Sequence, residues 1–232
     1  MRSQSVQGLN GSFIGTDLFF CQAVDSAEKN ASMSTKKRRR GAPRRNEPSA
    51  RTRLIETAAE LFYQEGIRAV GIDTIVARSG VSKSSLYRTF ASKDELIAAF
   101  AESENQRFWQ WWDETVERHA DAPSRQVRAL LEGIGEQIAS PQFRGCPFIN
   151  LANEFPDRQH PGTTIACANK REMRQRLRAM ARALGARNPQ RLGDQLALLI
   201  DGAYGHAVTL GPDGLKRELI ETATVLIDAQ IR

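Results

Sequence analysis

Lys83, Ser84, Ser85, Tyr87 and Arg88 put two cations, two small hydroxyls and a phenol into one short stretch. Such groups donate hydrogen bonds without changing protonation near neutral pH. They suit recognition of phosphate oxygens and base edges rather than the making or breaking of bonds. Lys93 lies just beyond them at the start of a further helix, where an ammonium beside free backbone N–H groups forms a phosphate clamp. Arg51, Thr74 and Ser82 complete the candidate DNA-contacting set.

The stretch Asp73 to Lys93, DTIVARSGVSKSSLYRTFASK, must position these groups. Asp73 reads as the N-cap of a short helix, its carboxylate accepting from a free N–H of the first turn. Ile75, Val76 and Ser79 give that helix an apolar or small face. Gly80 takes positive φ without a Cβ clash, and Val81 follows as a buried plug. Ser82 caps a second helix that runs through Leu86, Tyr87 and Phe90, with Leu86 and Phe90 as core. Ser92 and Glu95 have the spacing of a capping box for the next helix. A helix, a glycine turn and a second helix with a polar N-terminal half make a helix-turn-helix, whose second helix would enter the major groove.

The ordered set Arg53, Ala58-Ala59, Leu61-Phe62, Gly66, Ile75, Gly80-Val81-Ser82, Leu86-Tyr87, Phe90 and Lys93-Asp94-Glu95-Leu96 resembles the DNA-binding domain of TetR-family transcriptional regulators, over residues 51–97. Val76 and Ser79 depart from the alanines usual there, as modest volume changes in a small core. Further on, the run from Cys146 to Phe155 resembles the segment that opens the sixth helix in one branch of that family. The resemblance implies a repressor that binds double-stranded DNA at a palindromic operator. It also implies a C-terminal helical domain that takes up a small-molecule effector and thereby loses DNA. The last two helices of each subunit would form a four-helix homodimer interface. Geometry asks for a dimer too: one small helix-turn-helix reads few bases, and two copies about 34–36 Å apart match half-sites one turn apart.

Charge distribution points the same way. The chain's net charge is +6, yet nine basic residues and one acid, Glu47, fall between Lys36 and Arg53. That segment is more positive than the whole chain, which indicates a polyanionic partner. Residues 34–49 form a basic arm with Pro43 and Pro48, adding affinity by counterion release or by reaching the minor groove. Three widely spaced cysteines, Cys21, Cys146 and Cys167, suit a reducing cytoplasm. No apolar run approaches the roughly 18 residues a membrane helix needs. His119, His160 and His206 lack metal-ligand spacing, and neither a paired-carboxylate motif nor a phosphate loop is present, so no metal, no cofactor and no enzymatic activity is expected.

The periodicity predicts an all-α protein of about nine helices. Residues 1–48 read as a disordered basic extension, 49–97 as the three-helix DNA-binding domain, and 98–232 as the ligand-binding and dimerisation domain. One long helix from 92 to about 119 joins the last two. Pro123 starts another, in which Gly133 and Gly135 mark close packing or a bend. The helix over about 162–184 turns Ile165, Ala168, Met173, Leu177, Met180 and Leu184 inward and its arginines to solvent. Asn188-Pro189 opens the next, Gly211-Pro212 ends it, and Asp213 caps the last. Phe108, Trp109, Trp112, Phe148, Asn153, Cys167 and His206 are the candidates for an effector pocket between helices. Two rival readings stay open: a nonspecific or architectural DNA-binding protein ruled by its basic arm, and a thiol-dependent enzyme or redox sensor using Cys146. Met33 begins a basic segment that reads as the natural start of translation. The intact mass of the native protein is expected to lack residues 1–32, and a mass that includes them overturns that start.

Overall fold

The computed structural model describes residues 48–231. The expectations for the basic extension, the Met33 start and Cys21 fall outside that range. Among the described residues there are nine helices and no strand: α1 (Ala50–Glu65), α2 (Ile72–Ser79), α3 (Lys83–Thr89), α4 (Lys93–Glu117), α5 (Pro123–Ile138), α6 (Pro147–Glu154), α7 (Pro161–Ala183), α8 (Pro189–Leu210) and α9 (Leu215–Ile231).

The N-terminal unit forms because each element buries one apolar face. Ser49 caps α1 by accepting from the Thr52 N–H at 3.0 Å. Leu54, Ala58, Leu61 and Phe62 of α1 are buried against Ile75 of α2, Leu86 of α3, and Leu96 and Phe100 of α4. Phe62 and Phe100 meet edge to face at 5.5 Å, so α1 and α4 are locked by an aromatic pair as well as by area. At about 1.5 Å per residue, the 25 residues of α4 span about 37 Å. Its first turns belong to this unit, and the rest packs on α5 and α7.

Glycines set the spacing of the C-terminal bundle. A Cβ on Gly133 would lie 2.7 Å from Trp111 Cζ2, and one on Gly135 would lie 2.5 Å from Lys216 Cγ. Both are close-packing points, as the sequence indicates. Gly193 is tighter: its Cβ would stand 2.6 Å from the Cα and N of Arg178, backbone atoms of α7. The α7–α8 contact therefore admits no side chain at that position.

Four local expectations need correction. The N-cap position of α2 belongs to Gly71, whose extended backbone starts the helix one residue before Asp73. Asp73 sits in the first turn instead, where its charge still favours the helix dipole. Gly214, not Asp213, precedes α9. Ala168 is exposed, while Thr163, Ala166 and Asn169 take the inward positions near it. The arginines of α7 are not simply solvated. Arg178 makes a two-pronged bond to Asp194 of α8, both contacts at 2.7 Å, and holds that carboxyl below its ordinary pKa. Arg176 binds Glu172 at 2.8 Å, pairs with Asp113 of α4, and lies 4.1 Å over the Trp109 ring.

Gly193→Ala is expected to destabilise the protein by about 1–3 kcal/mol, because the methyl group meets backbone rather than a movable side-chain end. Chemical denaturation followed by circular dichroism measures it. An unchanged midpoint would mean that α7 and α8 separate freely.

Candidate nucleic-acid interface

Gly80, at φ +66°, makes the left-handed turn that sets α3 across α2. Val81 and Leu86 are buried below it, and Phe90 closes the far end. With those side chains committed to the core, the other face of α3 is left to solvent. Ser82 caps the helix by accepting from Ser85 N–H at 3.2 Å. Its hydroxyl also lies 3.1 Å from the Ser84 hydroxyl and donates to Ser85 Oγ at 3.0 Å. Arg88 donates to Ser85 Oγ at 3.1 Å. These bonds hold the serines and the guanidinium in one connected polar patch. Tyr87, 49 % exposed, stands on the same short helix.

Lys83 is exposed at the first position of α3, and its ammonium lies 2.7 Å from Asp73 Oδ1. The Asp73 hydrogen bond holds that ammonium above the ordinary lysine pKa. Asp73, expected as a cap, is instead the group that aims Lys83. The signal was absent from local spacing because the two carboxylate roles use the same residue type. Thr74 is exposed on α2 beside this pair. Arg51 is exposed on α1, its guanidinium 5.6 Å over the Phe90 ring. That contact ties the N-terminal end of α1 to the end of α3.

Lys93 differs from the rest. Its ammonium donates to the Ile67 carbonyl at 2.6 Å and lies 5.8 Å from the Phe62 ring centroid. Partial burial pulls its pKa below the ordinary lysine value, against the attraction of Glu154 and Asp94. The structure thus turns this charge toward the α1–α2 turn. The capping expectation beside it holds in modified form: Ser92 accepts from Glu95 N–H at 3.1 Å, while Glu95 reaches back to Ala91 N–H at 2.6 Å.

Of the effector-pocket candidates, four aromatics come together. Phe108 lies 4.8 Å from Trp109, 5.9 Å from Trp112 and 6.1 Å from Phe148, ring centroid to centroid. Phe108, Trp112 and Phe148 are buried, and Arg176 covers Trp109. Asn153 is exposed on α6 and Cys167 half-buried on α7. His206 is exposed on α8, where it lines an open groove of about 460 Å³ between α8 and α9 with Leu198, Leu199, Leu219 and Leu226. Cys146 is a buried free thiol at the N-cap of α6.

Lys93→Met is expected to lower stability by about 1.5 kcal/mol, the scale of a hydrogen bond from a charged donor. Lys83→Met is expected to leave the thermal midpoint unchanged. Equal melting curves for the two variants would show that the inward contact of Lys93 carries no weight.

Residues 54–100 match the family model described as bacterial regulatory proteins, tetR family. The TetR-family transcriptional regulator SCO4454 from Streptomyces coelicolor has a similar structure, with a TM-score of 0.75 and 31% identity over 79% of this chain and 96% of that one. The HTH-type transcriptional repressor Rv3405c of Mycobacterium tuberculosis is 28% identical over 104 residues, 45% of this chain. The match spans only about half of that relative's length, 52%. The HTH-type transcriptional activator FasR of Mycolicibacterium smegmatis is 47% identical over 49 residues, 21% of this chain and 22% of its own. Among the described residues no helix is long and apolar enough to cross a membrane. The helix-turn-helix geometry, the family match and a likeness across nearly the whole of a solved regulator lead to one conclusion: the chain belongs to the TetR family of helix-turn-helix transcriptional regulators.

Proposed function

We propose that this protein is a homodimeric repressor that reads a palindromic operator with α3 and is released by a small-molecule effector. The observation that carries the reading is the polar face of α3, held outward by the buried Val81, Leu86 and Phe90. Lys83, Ser84 and Ser85 lie toward the N-terminal end, the end that faces base edges in a helix-turn-helix. Tyr87, Arg88, Arg51 and Thr74 surround that end as phosphate contacts. On this reading residues 49–97 are the DNA-binding domain and 98–232 the effector and dimer domain. An activator remains compatible with the same geometry.

The dimer is supported by α8 and α9. Leu198 is 75 % exposed, Leu210 76 % and Val225 67 %. Large apolar side chains exposed on two neighbouring helices are the kind of surface a partner covers. A Cβ on Gly202 or Gly205 would meet nothing within 4 Å, so a partner helix could approach the α8 backbone closely. The effector reading rests on the aromatic cluster around Phe108, which joins α4 to α6. A ligand that prefers one placement of α4 would change the spacing of the two α3 helices and hence operator affinity, reciprocally.

Gel shift at physiological salt, with the DNA flanking this protein's own gene and excess competitor, tests the reading. A band that competitor abolishes would favour the architectural alternative. In the same assay Tyr87→Ala is expected to weaken all sequences alike and to leave the salt slope unchanged, because a neutral phenol releases no counterion. Lys83→Ala and Ser84→Ala are expected to change preference among sequences, by about tenfold or more at a contacted base pair. Leu198→Glu is expected to yield monomers in sedimentation and to lose specific binding. A Leu198→Glu dimer overturns the interface.

A further inference from the structure

The turn between α1 and α2 is gripped from the C-terminal bundle by a residue that the DNA-reading role does not use. Ile67 N–H and Arg68 N–H donate to the two carboxylate oxygens of Glu154, at 2.9 and 2.7 Å. Glu154 is the last residue of α6. Arg68 Nε donates in turn to the Glu154 carbonyl at 2.8 Å, and its guanidinium lies 5.1 Å over the Phe155 ring. On the other side of the same turn the Lys93 ammonium holds the Ile67 carbonyl. Charged groups from α6 and α4 thus close on one peptide unit, and the Glu154 carboxylate favours the charged form of Lys93 against its partial burial.

Two bonds to adjacent amides fix direction as well as distance, whereas one bond leaves a pivot. Neighbouring contacts reinforce the same junction. Phe155 stacks on His160 at 4.3 Å, and His160 Nε2 lies 3.6 Å from Asp94 Oδ1 on the first turn of α4. Just before α6, the Tyr63 hydroxyl of α1 donates to the Gly145 carbonyl at 3.0 Å and accepts from Arg144 N–H at 2.9 Å. The segment containing α6 is therefore tied to α1 at its start and to the α1–α2 turn at its end. A stiff eight-residue helix held at both ends moves as a strut.

We propose that Glu154 is the positioning residue that sets the angle of the helix-turn-helix on the C-terminal bundle, by holding the two adjacent amides of the α1–α2 turn. The inference rests on the operator-reading function proposed above. Its chemistry is specific. A glutamine has the same shape but presents one acceptor and one donor. Facing two N–H donors, it satisfies only one and meets the other with its own N–H.

The test compares full-length wild type with Glu154→Gln and Glu154→Ala. Backbone hydrogen exchange, read without DNA, is expected to rise about tenfold at Ile67 and Arg68 in both variants, with α8 and α9 unchanged as the sign of an intact fold. Unchanged exchange overturns the latch. Affinity is then measured for a palindrome selected by wild type and for versions with the spacer lengthened or shortened by one base pair. Wild type is expected to prefer one spacer. Glu154→Gln is expected to lose about tenfold of that preference while keeping its affinity for an isolated half-site. If the variant scales every spacer equally, Glu154 is only structural and the proposal fails. A wild type that selects no palindrome overturns the operator reading instead, and the exchange result then decides the latch by itself.

Discussion

Helix α3 is seven residues long, and a helix of that length has no stability of its own in water. Every part of the N-terminal unit answers this constraint. Gly80 supplies the left-handed turn and Ser82 the cap. Val81, Leu86 and Phe90 are buried, and α3 packs on α1 and α2. Once these three are placed, the helix has no freedom to rotate, and the polar side chains between them must face out. The candidate interface thus follows from core packing. Its donors are exposed because their neighbours in sequence are not.

The same logic scales up through α4. Its first turns are core for the N-terminal unit, and its later turns are core for the bundle. Leu96 and Phe100 serve one, and Ile97, packed on Gly162 of α7, serves the other with Phe108 and Trp112. A helix shared by two cores cannot shift in one without strain in the other, because close-packed interiors transmit displacement rather than absorb it. The charged grip on the Ile67–Arg68 turn adds a second connection beside α4, from α6. Two connections define an orientation where one would define only a hinge.

In the bundle, contact is decided by small residues and offset charges. Gly193 lets α7 and α8 approach to backbone distance, and the Arg178–Asp194 pair sits at the same crossing. Such a pair near the surface contributes little by itself. Its value lies in registering two helices whose apolar faces would tolerate sliding. Deeper in, Lys170 reaches Asp201 at 2.6 Å and lies 5.5 Å from the Tyr204 ring centroid. Burial acts to discharge that ammonium, and its acidic neighbours outweigh the burial, so the lysine stays charged. A half-buried charge with a matched partner restricts which packings are allowed more than it adds stability.

What the sequence alone determined was whatever closes within about one turn of chain. The nine helices, the Gly80 turn, the Ser82 and Ser92 caps and the breaks at Pro123 and Gly211 all depend on neighbours three or four residues away, and all are legible. Asp73 was misread because its two possible partners, an amide of its own turn and the Lys83 ammonium, differ only once α2 and α3 are crossed. Lys93 and Glu154 meet the same turn from 26 and 87 residues away, and no periodicity encodes that meeting. The dispersal of the pocket candidates has the same origin: Phe108 and Phe148 touch, while His206 faces the α8–α9 groove, because helix crossing angles fix which sides of α4, α6 and α8 converge. Local hydrogen bonds are written along the chain, but the direction of a side chain toward a distant partner exists only after the helices have packed.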